Sequence, residues 1–274
     1  RAVVVTLWTR RLRAFFGIEY AQMLTYRAEI LLWAVATCLP LIMLGVWAQA
    51  AESGDFARGP AWMARYFIAV FLVRQVTIVW VIHHFEYLVV SGRLSPQLLL
   101  PVDPAWRYAI AHLAEQACRL PIVALMLAGC LLLFPAAWRG DEHVGPWTPG
   151  LGALAGGVLA CMAAFTLRFV LQYTFALLAF WVERVAAAHE LVYLLILFAS
   201  GMVAPLEVFP DAARDAVLWT PFPWLVWFPA KLLMGEPAPV LRGFVTLAVW
   251  IAALAVVNRI VWRRGLKHYS AMGA

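Results

Sequence analysis

Charge is what this sequence has least of. Asp, Glu, Lys and Arg supply 13% of its 274 residues, while 65% are hydrophobic. A soluble domain carries roughly 25% charged and about 45–50% apolar residues. No aqueous fold can hide that apolar excess, and the mean hydropathy of +0.83 points the same way. The composition therefore excludes a soluble globular protein and requires a chain that crosses a bilayer several times.

Paired cysteines are missing as well. Cys38, Cys118, Cys130 and Cys161 stand singly within or at the edge of apolar runs, with no CxxC and no Cys/His pair. That pattern argues against a zinc site and a disulfide framework, and each is read as a small apolar residue. No GxxxxGK[ST] occurs, so the chain has no P-loop in which to cradle nucleotide phosphates. GxSxG, HExxH and a catalytic triad are missing too. If the protein does work, the energy comes from an ion gradient or from another chain. The deep charges are arginines and the carboxylates lie toward span ends, which argues against a proton-coupled carrier.

The net charge of +6 does not point to nucleic acid. The basic residues are scattered around apolar runs, with none of the basic groove and stacking aromatics that single-strand binders need. Lipid headgroups and topology account for them better. The opening "RAVVVTLWTRRLRAFFG" has a short apolar patch followed by more arginine, unlike a cleavable signal. It begins without Met, so a few leading residues are expected before it.

Six apolar runs qualify as crossing helices, which need roughly 20 residues each. They are Ala28–Ala50, Trp62–Phe85, Ile110–Pro135, Leu151–Trp181, Leu191–Pro205 (extended back through Val185–His189) and Val240–Trp262. With a cytoplasmic N-terminus, inside segments hold 12 Lys and Arg (Arg1, Arg10, Arg11, Arg13, Arg27, Arg93, Arg107, Arg184, Arg259, Arg263, Arg264, Lys267) against 6 outside (Arg58, Arg65, Arg139, Arg214, Lys231, Arg242). Arg74, Arg119 and Arg168 fall within spans. The excess of basic residues inside places both termini in the cytoplasm. The expected fold is all-α: a cytoplasmic-side helix over 1–27, one six-helix transmembrane domain over 28–262, and a cytoplasmic tail over 263–274.

Residues 6–26 read as a helix lying on the membrane. Trp8, Leu12, Phe15, Phe16 and Met23 share one arc, Arg10 and Arg13 lie away from it, and Glu19 falls inside it against the pattern. Between the fifth and sixth spans, prolines at 205, 210, 221, 223, 229, 237 and 239 cut an apolar stretch into short pieces. Pieces of about 10 residues are too short to cross. They predict a re-entrant hairpin over 206–237 on the outer face, with Asp211 as a helix cap. Trp219, Trp224 and Trp227 are placed at headgroup level. The remaining outer loops, "AESGDFARGP" and "WRGDEHVGPWTPG", are short.

Several polar residues invite a functional reading. Arg74 and Gln75 in span two, and Arg168 and Gln172 in span four, must face protein or a wet cavity. They line a substrate path or fix helix packing. Glu115 and Arg119 form an i,i+4 pair in span three. "VIHHFEY" sets His83 and His84 beside Glu86, but neighbouring helical residues point about 100° apart and converge poorly on a metal. His189 and Glu190 open the fifth span, where a carboxylate suits the helix dipole.

The segment "SGRLSPQLLLPVDPAWR", within the loop 89–108, interrupts the apolar runs. Ser91 or Ser95 is positioned to cap a short helix, with Pro96 at an early helical position. Leu98, Leu99 and Leu100 form an apolar knob, Pro101 and Pro104 end it stiffly, and Arg93 and Arg107 are free to meet acidic groups or phosphates.

This segment resembles the loop in which permeases of the type-2 ABC exporter superfamily place a short coupling helix against their ATPase. "ASGMVAPLEVFPDAARDAVLWTPFPW" is similar to the family's Gly…Pro…Pro passage from the fifth span into the hairpin. "YRAEILLWAVATCLPLIMLGVW" is similar to the first span of bacterial systems with one ATPase and two related permeases. The resemblance covers nearly the whole chain. It implies a permease of a bacterial inner membrane that is not itself an enzyme and holds no cofactor, with ATP and Mg in a cytoplasmic ABC ATPase partner. It also implies a second permease subunit, identical or related, and an amphiphilic drug-, lipid- or glycan-like substrate exported by alternating access. The coupling residues would be Ser91, Gly92, Arg93, Leu94, Leu98, Leu99, Leu100 and Pro101. The readings left open are an integral membrane enzyme using His83, His84, Glu86, Glu115 and Arg119 at the cytoplasmic face, and an assembly subunit.

Overall fold

The computed structural model describes residues 2–53, 58–142 and 144–272, apart from the side chains of 2–8, 27, 29 and 270–272. Arg1, most of the loop after residue 53, His143 and the Trp8 and Arg27 side chains lie outside the described residues. Every described element is helical. Five helical stretches are long and apolar enough to cross a membrane: Ile30–Glu52, Pro60–Val90, Pro104–Leu133, Leu151–Phe180 and Val240–Tyr269.

The chain opens with α1 (Ala2–Thr25), then the first stretch in two pieces, α2 (Arg27–Ala36) and α3 (Leu39–Glu52). Pro40 sits in the first turn of α3, where its missing N–H costs nothing. That proline explains the break at Thr37–Cys38. The second stretch is α4 (Pro60–Thr77) and α5 (Val81–Val90), with Ile78 extended between them at φ −67° and ψ 138°. No proline or glycine marks this break. Non-helical backbone at membrane depth is tolerated only inside protein, and Ile78 and Val79 are 3% and 1% exposed.

After the short α6 (Ser95–Leu98) come α7 (Pro104–Leu133), α8 (Ala136–Arg139) and α9 (Leu151–Ala176), the last extended by a tight turn over Leu177–Phe180. The fifth apolar run forms only α10 (Val185–Ala199), 15 residues or about 22 Å against the roughly 30 Å of a bilayer core. It stops because Gly201 takes φ +86° and Pro205 follows.

The proline-rich stretch then folds into α11 (Asp211–Val217) and α12 (Trp227–Met234), and α13 (Val240–Met272) closes the chain. The tail expected after Trp262 continues that helix. Asp211 is the first residue of α11 rather than its cap and pairs with Arg214 at 2.7 Å. Of the three tryptophans placed at headgroup level, only Trp219 is exposed; Trp224 and Trp227 are buried. α12 turns inward and packs on α9 and α4, where Lys231 is held by Glu207 at 3.1 Å and Glu236 at 3.6 Å.

α4 is the centre of the bundle and α13 its edge: the window in Pro60–Val90 is 78% buried, that in Val240–Tyr269 only 11%. One core, around Trp62, Phe67, Trp224 and Phe228, joins α4, α9 and α12. A second, aromatic core joins α5, α7, α9 and the turn after it; Phe85 meets Tyr173 and Phe180 edge to face at 5.6 and 5.5 Å. Such pairs each add about 0.5–1.5 kcal/mol beyond area burial. α1 lies alongside the first half of α7, with Arg11 reaching the Pro101 carbonyl at 3.4 Å and Tyr20 O lying 3.8 Å from the Cys118 Sγ.

Candidate functional site

The sequence offers two groups of candidate residues: the segment 91–103 and the polar residues within the bundle.

The segment begins where α5 ends. Gly92 takes φ +70°, and the Gly92 and Arg93 N–H groups donate back to Val89 O at 3.1 Å and Leu88 O at 2.9 Å. This doubly bonded left-handed stop turns the chain sharply and satisfies carbonyls the helix leaves open. Neither serine caps α6. Ser91 Oγ donates to Tyr87 O at 2.6 Å, Ser95 Oγ lies 3.2 Å from the Tyr269 hydroxyl, and Leu94 occupies the cap position. Pro96 does sit in the first turn.

The apolar knob divides. Leu94 is fully buried in the aromatic core and Leu98 packs against it. Leu99 and Leu100 point outward, 87% and 40% exposed. Pro101 and Trp106 are exposed as well. Arg93 folds back on Tyr87, donating to its hydroxyl at 2.9 Å.

Residues that sequence reasoning passed over brace the segment. Asp103 Oδ1 accepts from Ala105 N–H at 2.9 Å, capping α7, while Oδ2 meets Arg259 Nη1 of α13 at 2.7 Å. Tyr269 of α13 contacts Ser95, and the Tyr108 hydroxyl donates to Gln97 Oε1 at 3.0 Å. The Asp-Pro pair at 103–104 was the available signal, since Asp before a first-turn Pro marks a helix start. Arg259 and Tyr269 carry no comparable signal.

Within the bundle, Arg74 donates to the Tyr193 hydroxyl at 3.0 Å and lies 2.8 Å from Met202 Sδ. Gln75 donates to Thr37 Oγ1 at 2.7 Å, beside the break between α2 and α3. Arg168 and Gln172 are 2% and 3% exposed. Arg168 Nε and Nη1 and Gln172 Oε1 have no hydrogen-bond partner among the described residues. Arg74 and Arg168 are close enough to repel, and neither meets a carboxylate among the described residues. Buried guanidinium groups without a counter-charge are costly, so this cluster requires an anion or water.

The other polar residues separate. Glu86 Oε2 accepts from Ala186 N–H at 2.6 Å and so covers the start of α10; exposed Glu190 does not. Glu115 pairs with Arg119 at 3.4 Å. His84 stacks edge to face on Tyr108 at 5.6 Å. No group of three metal-ligating side chains forms among the described residues; of the five residues of the enzyme reading, His84 and Glu115 line one cavity and Arg119 pairs with Glu115, while Glu86 turns to the start of α10. His112, not singled out by its sequence context, accepts from Trp80 N–H through Nε2 at 2.8 Å and holds the break between α4 and α5.

The family described as "ABC-2 family transporter protein" matches residues 31–273. A search of curated proteins finds no match.

Proposed function

The chain belongs to the ABC-2 family of transporter proteins, as a multi-pass membrane permease of an ABC transporter, and from that premise we propose that it exports an amphiphilic substrate, driven by a separate ATPase. The family implies an ABC ATPase partner in general. ATP and Mg belong to that partner, and two permease subunits, identical or related, enclose the path. The membrane is a bacterial inner membrane, with both termini and segment 91–103 on its cytoplasmic side. α10 together with the turn after it serves as the short fifth of six crossings. The 206–237 region forms the re-entrant hairpin of the opposite face, and α1 lies at the cytoplasmic interface.

The observation that carries this reading is the exposed Leu99–Leu100 face on a segment braced at both ends. A stiff apolar projection passes on rigid-body movement, which a flexible linker would dissipate. Through Leu94 and Leu98 the push enters the aromatic core; through Asp103–Arg259 it enters α13. Closure of the ATPases rocks the two halves and opens the path alternately. Arg74, Gln75, Arg168 and Gln172 supply its polar lining, and Arg168 offers two unpartnered donor nitrogens to a passing polar group.

The test is co-purification with the ATPase encoded nearest to its gene. Leu99→Asp with Leu100→Asp should abolish stimulation of the ATPase while leaving the permease folded. Unchanged binding and activity would remove the coupling assignment. Mass spectrometry of small molecules carried by the transporting complex would identify the cargo.

A further inference from the structure

A cavity of about 670 Å³ lies between α1, α2, α5 and α7. It takes no part in the cluster around Arg168, and only Gln97 connects it to the coupling segment. One wall, from α1, carries Glu19; the facing wall, from α7, carries Arg107. Burial pushes the Glu19 carboxyl up from its ordinary value, and the Arg107 guanidinium offsets only part of that. The two are near enough to attract, yet no ion pair joins them among the described residues. Arg107 instead lies over the Phe15 ring at 5.6 Å, and its buried Nε has no hydrogen-bond partner.

α1 is packed along α7, and Arg107 is drawn to the Phe15 ring rather than to Glu19. A carboxylate and a guanidinium facing each other across an open space are complementary to a zwitterion whose anion meets the guanidinium and whose cation meets the carboxylate. Guanidinium binds phosphate through paired N–H donors, and a carboxylate accepts from a primary ammonium. The rest of the lining mixes aromatic side chains with Gln22, His84, His112 and Glu115, the last paired with Arg119 at 3.4 Å. Trp80 lies within, and Tyr26 and Trp33, 56% and 40% exposed, stand at the mouth. Amphipathic rings of this kind sit at the boundary between headgroup and acyl chain, and cavities of about 300–1,000 Å³ suit ligands of this size.

We propose that this cavity binds the headgroup of a zwitterionic phospholipid with a primary ammonium, its phosphate on Arg107 and its ammonium on Glu19. An anionic headgroup without an amine would leave Glu19 facing negative charge. A quaternary ammonium has no N–H to donate to the carboxylate. The proposal does not depend on export or on the coupling role, since it concerns a resident lipid between α1 and α7.

The experiment uses the full chain in detergent micelles doped with equal amounts of phosphatidylethanolamine, phosphatidylglycerol and phosphatidylcholine of matched acyl chains. Native mass spectrometry reads the lipid retained. Phosphatidylethanolamine should be retained roughly tenfold over the other two, the worth of one charge-assisted hydrogen bond. Arg107→Gln should lower its retention by a similar factor, and Glu19→Gln should erase the preference over phosphatidylcholine. Equal retention of the three lipids by the unaltered protein overturns the proposal, as does a preference that survives both substitutions. Displacement by soluble glycerophosphoethanolamine at equal concentration overturns the lipid assignment. Should Arg107→Gln fail to fold, the selectivity of the unaltered chain and Glu19→Gln, which keeps the side chain's shape, decide the matter.

Discussion

Asp103 and Arg259, 156 positions apart in the chain, meet at 2.7 Å and join the start of α7 to α13. The same carboxylate caps α7 through Ala105 N–H. Asp103→Ala removes both bonds. The cap is worth about 1 kcal/mol, and the pair roughly 0–1 kcal/mol because Arg259 is 54% exposed. Asp103→Asn keeps the cap and loses only the charge. Thermal melts should therefore show Ala lower than Asn by about 1 kcal/mol, while both reduce stimulation of the partner ATPase.

The knob divides by direction, so its leucines should fail differently. Leu98→Asp places a charge against the aromatic core and should lower folded yield. Leu99→Asp and Leu100→Asp should leave yield and melting unchanged and weaken ATPase association. Pull-down and size-exclusion profiles on the same preparations separate the two effects.

Arg168 gives a prediction of opposite signs. Replacing buried ion pairs by apolar residues of similar volume is often neutral or stabilising by about 1–4 kcal/mol, and Arg168 keeps two donor nitrogens without a partner among the described residues. Arg168→Met should hold or raise the melting temperature while transport into vesicles falls. A parallel loss of folded protein would show that Arg168 fixes packing instead.

Gly201 adopts φ +86°, and a Cβ there would run into the Tyr66 hydroxyl that donates to Gly201 O at 2.8 Å. Gly201→Ala should cost about 1–3 kcal/mol, read as a lower melting temperature. Tyr66→Phe in the same background should recover part of it.

Glu19 sets a pH dependence. Its carboxyl is raised in the folded protein from 4.5, so the folded state holds the proton more tightly than the unfolded chain. Stability from this group is fully present below pH 4.5 and is lost as pH rises through the folded value. In lipid-free detergent, Glu19→Gln should raise the melting temperature at pH 7, with the gain vanishing below about pH 4. A gain independent of pH would show that shape, and not ionisation, is responsible.

Much of the helical content was readable from hydropathy, because apolar runs of crossing length have few alternatives in a bilayer. Pro40 and the Gly201–Pro205 pair mark their own breaks. The break at Ile78–Trp80 could not be read, since its residues favour regular structure and the side chain that accepts from its freed Trp80 N–H is His112, more than 30 positions away. Glu19 looked like a flaw in an amphipathic arc; it lines a cavity that Arg107 of α7 also lines. Trp224 and Trp227 were misplaced for a related reason. Tryptophan suits a headgroup belt and a packed core equally well, and only the inward turn of α12 distinguishes them. That segment 91–103 breaks the apolar runs was readable from its prolines, but not the bonds to α13 that hold it.

The break between α4 and α5 also sets a stroke. An extended residue spans about 3.3 Å and a helical one about 1.5 Å, so rewinding Ile78, extended between the helices, would shorten this column by about 2 Å. It would also swivel α5 about its own axis. Segment 91–103 continues from α5 and is also tied to α13 through Asp103 and Ser95, so any such rewinding would have to carry α13 with it. The one side-chain bond that spans the break from α7 is the Trp80 N–H to His112 Nε2.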